Sequence, residues 1–239
     1  MKLAIAQILP LKGAIEDNIQ AHKSWILKAV NAKADLIVFP ELSLTGYEPS
    51  LAQDLAMTPE DSRLAVLQRL SDLHHISIAV GAPVRAYNSI HISMLIYQPN
   101  KALKVYHKQY LHEDETPFFD SGKQQLLFNC ANEIIAPAIC YEVLQPDHSK
   151  SASTMGATLY LASVAKPQDG VDAAYNHFPI IACEYGMSVI MSNSIGTCGN
   201  FMSAGQSGVW DSKGVLVSHL NTDEEGLLLF DTENRDIKK

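Results

Sequence analysis

Three reactive side chains follow predicted strands in this sequence: Glu41, Lys108 and Cys140. Glu41 comes just after the apolar run 36–39, Lys108 ends the stretch ALKVYHK, and Cys140 ends the stretch EIIAPAIC. The ends of strands are the usual place for a site in a layered α/β protein. Taken singly, each residue has an ordinary explanation, because a buried cysteine often packs as a small apolar residue, and lysines and carboxylates are common in the turns after strands.

Taken together, the three side chains are the parts of a thiol acyl-transfer site. A free thiol has a pKa of about 8.5 and is mostly protonated at neutral pH, so Cys140 needs a base. A carboxylate in a partly desolvated pocket, such as Glu41, can act as that base. A fixed ammonium, that of Lys108, can hold the negative oxygen of a tetrahedral intermediate. The set predicts a sulfur nucleophile that attacks a carbonyl carbon.

Apolar runs that alternate with helical patterns would position these residues. Strands are predicted at 2–8, 36–39, 76–84, 89–98, 102–108, 133–140, 158–163, 188–194, and about 206–211, 214–219 and 226–231. Helices are predicted over 16–33, from 58 onward, and over 146–155 and 179–186, and segment 163–176 is predicted as a loop that shapes the pocket. Two buried sheets with helices outside accommodate this pattern.

Composition restricts the classes of partner. The 239 residues carry a formal net charge of -8, which argues against nucleic acid or an anionic membrane surface as a partner. No apolar stretch approaches the roughly 18–20 residues of a membrane span, and the first residues fit a buried strand better than a signal peptide. Four cysteines without a C-x-x-C pair favour reduced thiols in the cytoplasm. The nine histidines show no zinc-binding spacing, so we expect no metal.

Three motifs resemble, in order and spacing, those of the nitrilase superfamily of carbon–nitrogen hydrolases. They are FPELSLTGY at 39–47, HKQYLHEDETPFFDSG at 107–122 and APAICYE at 136–142. The segments GATLYLAS, ACEYGMSVIMSNSIG and GQSGVWDSKGVLVS extend the resemblance over nearly the whole chain. It implies one α/β domain over 1–239, a four-layer αββα sandwich of two mixed sheets with outer helices. We expect about 232–239 to be a loose polar tail.

The resemblance implies a role for each residue. Glu41 would be the general base, Lys108 the cation at the oxyanion, and Cys140 the nucleophile that forms a thioester. The backbone N–H of Tyr141 would be the second oxyanion donor, and no cofactor would be needed. We also expect three residues to bind the substrate, namely Tyr47, Ser163 and Val164.

A fourth catalytic residue is expected in the loop after Lys108. Family members often carry a second glutamate about seven residues before a closing glycine. Glu115 stands seven residues before Gly122, whereas Glu113 stands nine before it. A second carboxylate would hold the ammonium in place and raise the proton affinity of its neighbour. We therefore predict that Glu115 is catalytic and that Glu113 is a solvated charge, while the alternative leaves both in solvent.

Two departures from the family pattern limit the substrate prediction. Many members have an arginine four residues after the nucleophile, where this chain has Leu144, and another in the later helix, where it has Ile181. A pocket that held a substrate carboxylate with the first arginine has lost that contact. Amides of dicarboxylic acids are therefore in doubt as substrates, although other residues could bind the carboxylate.

The favoured activity is hydrolysis of a small linear amide. Alternatives within the family are nitrile hydrolysis, N-carbamoyl hydrolysis and repair of deaminated metabolites, and a different class would be a binding or assembly module without turnover. A papain-like dyad of Cys140 with His148 or His177 would leave Glu41 and Lys108 unexplained. We expect at least a homodimer, paired through the helices near 146–155 and 179–186.

Overall fold

The computed structural model describes residues 1–238, and two β-sheets packed face to face form its centre. The strands are β1 (Lys2–Gln7), β2 (Leu36–Val38), β3 (Ser77–Ala86), β4 (Ser89–Tyr97), β5 (Lys104–His107), β6 (Phe128–Cys130), β7 (Glu133–Ile139), β8 (Leu159–Val164), β9 (Ser188–Asn193), β10 (Ile195–Cys198), β11 (Phe201–Ala204), β12 (Gly208–Trp210), β13 (Leu216–His219), β14 (Gly226–Asp231) and β15 (Ile237–Lys238). The α-helices are α1 (Ile15–Asn31), α2 (Ala52–Leu55), α3 (Ala65–His74), α4 (Pro146–Thr154) and α5 (Gln168–Tyr185).

Each large sheet mixes parallel and antiparallel strands. The seven-stranded sheet has the order β15-β14-β1-β2-β3-β4-β5, and the six-stranded sheet has the order β13-β12-β9-β8-β7-β6. The inner pairs β1–β2, β2–β3, β7–β8 and β8–β9 are parallel. Parallel strands place their carboxyl ends at one edge of a sheet, which is where ligand sites form. Strands β10 and β11 form a separate hairpin.

Alternation along the strands divides the core into three layers of side chains. In β8, Leu159 and Leu161 face the other sheet, whereas Tyr160 and Ala162 face the helices α4 and α5. In β2, Leu36 and Val38 face inward between the sheets. A strand buried on both faces has a continuous apolar sequence, which is why these runs predicted buried strands. Helices α1 and α3 cover the first sheet, so the four-layer αββα sandwich of two mixed sheets is confirmed.

The segment 163–176 was predicted as a loop, and the structure corrects this. Strand β8 continues to Val164, and α5 begins at Gln168, so the connection is only residues 165–167. A helix was predicted only over 179–186, whereas α5 begins at Gln168 and contains Pro179 in its interior. The hairpin β10–β11 was not predicted either.

Part of the predicted polar tail forms a short strand. Residues Ile237 and Lys238 form a strand that pairs antiparallel with β14, and Ile237 packs against the core between the sheets. Residue 239, the last of the predicted tail, lies outside the described residues. In residues 1–238 no helix has the length and apolar character that crossing a membrane would need.

Candidate active site

The structure brings together the side chains of Glu41, Lys108 and Cys140, which follow strands of both sheets, and that of Glu115 from the loop after β5. Glu41 follows β2, and Lys108 follows β5. Cys140 follows β7 of the other sheet and opens a short 3-10 helix, Cys140–Leu144. Because the sheets pack face to face, residues at these ends meet where the two layers adjoin.

Lys108 lies at the centre of the cluster and binds two carboxylates. Its Nζ donates to Glu41 Oε1 at 2.8 Å and to Glu115 Oε1 at 2.7 Å. All three side chains are buried. Burial opposes the ammonium charge, but the two carboxylates outweigh it and raise the pKa of Lys108. Lys108 is therefore a permanent cation that is held in place from two sides.

Glu41 has one oxygen in use and one free. Oε1 accepts from Lys108, whereas Oε2 is buried without a hydrogen-bond partner among residues 1–238. Burial raises the pKa of Glu41 to about 7; the charge of Lys108 lowers it and the charge of Glu115 raises it. A carboxylate that titrates near neutrality with a free oxygen is suited to accept and return a proton.

Cys140 sits on a strained turn at the floor of a cavity. Its φ of 46° lies in the left-handed region, which costs a residue with a side chain about 1–3 kcal/mol. The sulfur donates weakly to the carbonyl of Ala165 at 3.6 Å. Burial and then the charge of Glu41 raise the pKa of the Cys140 thiol to about 12. The thiol is therefore protonated at neutral pH and needs a base to become a nucleophile.

Glu115 and Glu113 occupy different environments. Glu115 is buried; besides Lys108 its Oε1 accepts from the Tyr47 hydroxyl at 2.8 Å, and its Oε2 accepts from the His112 N–H at 2.8 Å. Glu113 is exposed. The loop closes because the Gly122 N–H donates to the Lys108 carbonyl at 2.7 Å. A Cβ at Gly122 would lie 2.2 Å from the His107 carbonyl oxygen, so only glycine allows this approach.

A cavity of about 590 Å³ opens above the sulfur. Its walls include Tyr47, Glu115, Tyr141 and Leu144. Tyr141 is near the start of the 3-10 helix, where backbone N–H groups have no partner within the helix and can bind an oxyanion. A larger hollow of about 830 Å³ lies elsewhere, beside β4 and β5 and the segment 120–127, and it contains none of the four clustered side chains.

Of the three predicted substrate-binding residues, only Tyr47 lines the cavity. Ser163 faces the other sheet, and its Oγ donates to the Phe39 carbonyl at 2.8 Å. Val164 is buried in the core under α5. Both residues belong to β8, which ends just before the cavity, so the wall is formed by the next two residues, Ala165 and Lys166.

Sequence reasoning did not find a third buried carboxylate next to the site, Glu142. Its Oε2 accepts from the Ile139 N–H at 2.7 Å, and its Oε1 accepts from the Gln109 N–H. The Tyr106 hydroxyl donates to it at 2.8 Å. Burial raises the pKa of Glu142 to about 7, although these donors lower it. Glu142 thereby connects the turn at Cys140 with the segment after Lys108. Its position two residues after the nucleophile is the sequence feature that could have identified it.

Neither histidine of the papain-like alternative is bonded to the thiol in the described chain. His148 Nδ1 lies 2.6 Å from the Tyr160 hydroxyl, and His148 Nε2 lies 2.7 Å from the Tyr106 hydroxyl. Burial lowers the pKa of His148 to about 4. His148 therefore completes the Glu142 cluster as a neutral residue. In residues 1–238 no group of three or more His, Cys, Asp or Glu side chains is arranged to hold a metal ion.

Comparison with known proteins identifies the class that this fold and cluster define. The carbon-nitrogen hydrolase family model matches residues 2–238, and the chain belongs to that family, within the nitrilase superfamily. A probable nitrilase of Schizosaccharomyces pombe is 23% identical over 244 residues, covering 99% of this chain and 90% of the relative.

One further relative is much longer than this chain, and a solved structure has the same fold. A glutamine-dependent NAD(+) synthetase of Acinetobacter baylyi is 26% identical over 257 residues, and the match covers all of this chain but only 46% of the synthetase. The solved amidase from Nesterenkonia sp. AN1 superposes with a TM-score of 0.90 at 22% identity, covering 98% of this chain and 93% of the amidase. A variant of that amidase shows covalent addition of the acetamide moiety of fluoroacetamide at the active-site cysteine.

Proposed function

We propose that this protein is a cysteine-dependent amidase that hydrolyses small linear amides to a carboxylic acid and ammonia or an amine. The observation that carries the proposal is the buried Lys108, which bridges Glu41 and Glu115 next to the Cys140 thiol. A cation with two carboxylates beside a thiol supplies a base, an oxyanion donor and a nucleophile in one enclosed place.

In the proposed acylation, Glu41 takes the thiol proton while the sulfur of Cys140 attacks the amide carbonyl carbon. The carbonyl π electrons move to oxygen, and the oxyanion is held by the Lys108 ammonium and the Tyr141 N–H. When the carbonyl re-forms, the C–N bond breaks and the nitrogen takes the proton from Glu41. Ammonia or an amine leaves, and a thioester remains on Cys140.

In the proposed deacylation, Glu41 takes a proton from water as the water oxygen attacks the thioester carbon. The second tetrahedral intermediate breaks the C–S bond, and the thiolate takes the proton back from Glu41. The free oxygen of Glu41 and its pKa of about 7 suit both steps, since a base poised near the working pH transfers protons most efficiently. No metal ion or organic cofactor takes part in these steps.

Ammonia release from a panel of linear amides, ureido acids and nitriles tests the proposal. We expect turnover of amides, and a Cys140→Ala variant that folds normally but has no activity. Cys198→Ala is the matched control, because Cys198 is buried in the core outside the cavity. Turnover of ureido acids or nitriles alone would support another activity of the family, and no turnover of any of them would favour the binding or assembly module.

Mass spectrometry locates the nucleophile. With a slow amide substrate, the parent protein should carry an acyl adduct on Cys140. An adduct on Cys183 or Cys198, together with an active Cys140→Ala variant, would contradict the assignment. All four cysteines are free thiols in the structure, which fits the cytoplasmic location that we propose.

We also propose a homodimer formed through the outer faces of α4 and α5. Among the small and apolar residues of these helices, Ala152 and Ala182 are fully buried inside the protein and cannot reach a second copy. Met155 and Ile180 are 49% and 56% exposed, and they are the residues available to a second copy. Sedimentation at micromolar concentration should give a dimer, and Ile180→Glu should shift it toward the monomer of 26.2 kDa. A parent protein that sediments only as a monomer would contradict this proposal.

A further inference from the structure

The turn that carries Glu41 has a strained backbone. Leu42, the next residue, has a φ of 50°, a conformation that a residue with a side chain keeps only when the surrounding structure imposes it. The turn closes through the Ser43 N–H, which donates to the Pro40 carbonyl at 3.2 Å. The contact with Lys108 uses only Oε1 of Glu41, so the direction of Oε2 depends also on what holds this turn.

Gly81 of β3 lies directly against this turn. Its N–H donates to the Ser43 hydroxyl oxygen at 3.2 Å, and its carbonyl accepts from the Leu44 N–H at 3.0 Å. A Cβ at Gly81 would lie 2.3 Å from the backbone nitrogen of Leu42, so any side chain here would push the turn away. Strand β3 therefore holds the turn through two hydrogen bonds, and one of them is made to a side-chain hydroxyl.

His22 of α1 fixes the direction of that hydroxyl. His22 Nδ1 lies 2.6 Å from the Asn18 carbonyl oxygen, and His22 Nε2 lies 3.0 Å from the Ser43 hydroxyl oxygen. A carbonyl oxygen can only accept a hydrogen bond, so Nδ1 carries the proton and Nε2 is the acceptor of the neutral ring. Burial lowers the pKa of His22 to about 4, and the ring is therefore neutral at pH 7. It follows that the Ser43 hydroxyl donates to His22 Nε2.

These contacts form one chain of hydrogen bonds in which every direction is determined. The Gly81 N–H donates to Ser43, and the Ser43 hydroxyl donates to His22. His22 in turn donates to the Asn18 carbonyl. His22 and Ser43 are fully buried, so breaking a link leaves a buried polar group unsatisfied. The His22 ring also packs on Phe39, the residue that follows β2, with 4.1 Å between the ring centroids.

We propose that His22 is a positioning residue for Glu41, which it holds in place beside Cys140 through the Ser43 hydroxyl. The proposal rests on the amidase function above, in which Glu41 is the base. His22 is not among the residues that line the cavity, so it acts only by fixing the turn. A base that is displaced by about 1 Å can lose about 10²-fold in rate, and a turn with a strained residue next to the base is exposed to such a displacement.

Two substitutions separate the roles of the two ring nitrogens of His22. In His22→Gln the amide group reaches the position of Nε2, and its oxygen can accept from Ser43. In His22→Asn the shorter amide reaches only the position of Nδ1, and the Ser43 hydroxyl loses its acceptor. We expect kcat to fall about 10-fold to 10²-fold in His22→Asn with little change in KM, and His22→Gln to recover most of this loss.

Ser43 supplies the second half of the test. Ser43→Ala should lower kcat as much as His22→Asn does, and the double variant should be no slower than either single variant, because both changes break the same chain. Ser71→Ala is the matched control, since Ser71 is also fully buried but its hydroxyl has no partner within residues 1–238. We expect parental kcat in this control.

Alkylation of Cys140 by iodoacetamide tests the positioning without amide turnover, because the reaction displaces iodide and breaks no C–N bond. The thiolate is the reactive form, so the alkylation rate, followed at Cys140 by mass spectrometry, reports how well Glu41 takes the thiol proton. We expect the slowest alkylation in Glu41→Gln. His22→Asn and Ser43→Ala should lie between Glu41→Gln and the parent protein, and His22→Gln should react faster than His22→Asn.

Denaturant unfolding of each variant separates positioning from a purely structural role. A His22→Asn variant that is less stable but keeps the parental rates of turnover and alkylation would overturn the proposal, and so would equal losses in His22→Asn and His22→Gln. Additive losses in the double variant would overturn it as well. Ser43→Ala, the smaller change, carries the test if His22→Asn does not fold. If alkylation follows the expected order but no amide is turned over, the amidase function alone is rejected.

Discussion

Two clusters of buried carboxylates flank Cys140, and they differ in what stabilises the buried negative charge. In the first, Glu41 and Glu115 share the ammonium of Lys108. In the second, Glu142 pairs with no lysine or arginine within residues 1–238. Backbone N–H groups and the Tyr106 hydroxyl hold it, and His148 beside it is neutral. Burial raises the pKa of both Glu41 and Glu142 to about 7.

The difference lies in how many oxygens remain free. Glu142 accepts hydrogen bonds on both oxygens, whereas Glu41 Oε2 has no partner in the described residues. A carboxylate whose oxygens are all occupied fixes the backbone around it, because moving it would leave buried donors unsatisfied. A carboxylate with a free oxygen can exchange a proton. The same residue type is thus suited to catalysis in one cluster and to structure in the other.

The largest expected effect is the difference in kcat between variants of Glu41 and Glu142. Glu41→Gln should lower kcat by up to about 10⁴-fold, the upper end for a positioned proton-transfer group, because an amide oxygen is not basic enough to take the thiol proton. Glu142→Gln should lower kcat by less than about 10²-fold, since it acts only through the turn that carries Cys140. Steady-state kinetics on the best amide of the panel gives both values, and equal losses would mean that Glu142 also takes part in proton transfer.

A smaller loss is expected at the second carboxylate of the first cluster. Glu115→Gln should lower kcat by at least about 10²-fold, because it weakens the hold on Lys108 and removes a charge next to Glu41. Glu113→Gln should change kcat little, because Glu113 is exposed. If both variants keep near-parental rates, the enzyme works with three catalytic residues, and reversed effects would contradict the contacts of Glu115.

The pH profile of kcat/KM reports how strongly the charge of Glu115 acts on Glu41. Glu41 must be ionised to act as a base, so kcat/KM should fall as the pH drops through about 7. The charge of Glu115 raises the pKa of Glu41, so the acid limb of Glu115→Gln should move to lower pH. An acid limb that does not move in this variant would show that the two carboxylates are not coupled.

The smallest effects concern stability in the second cluster. Glu142→Gln should lower the free energy of unfolding by about 1–3 kcal/mol, because the amide nitrogen would face a buried N–H donor and leave it without an acceptor. Tyr106→Phe should cost less, about 0.5–1.5 kcal/mol, since Glu142 keeps its backbone donors. Denaturant unfolding of both variants checks the order. A greater loss in Tyr106→Phe would show that the tyrosine hydroxyl, through His148 and Gln109, holds the cluster more than Glu142 does.

Local sequence patterns were enough for most of the strands and for the positions of the main reactive residues. Runs such as 36–39 and 158–163 predicted buried strands because both faces of an inner strand are apolar. A charged or thiol side chain at the end of such a run stands out against it, which is how Glu41, Lys108 and Cys140 were singled out. Their catalytic roles stay predictions, although the structure places the three side chains in one cluster.

Other elements depended on partners that are distant in sequence. Strand β15 forms because Ile237 and Lys238 pair with β14. The short polar sequence of this segment does not predict that pairing. The start of α5 was misplaced, because the segment before residue 179 was predicted as a loop and is in fact helical from Gln168. The side chains of Ser163 and Val164 face the core because β8 continues through them, and the face that a residue presents follows from where its strand ends.

The sequence by itself determined which residue types could do chemistry and on which strands they stand, because hydrophobic periodicity is a local property. Only the tertiary structure decided which charges are buried, which are paired and which remain free. Lys108 follows β5 and Lys166 lies two residues after the end of β8. Yet Lys108 binds two carboxylates, and Lys166 forms no salt bridge within residues 1–238. That contrast arises from how the two sheets and their loops pack together, since desolvation and pairing depend on neighbours from every layer of the fold.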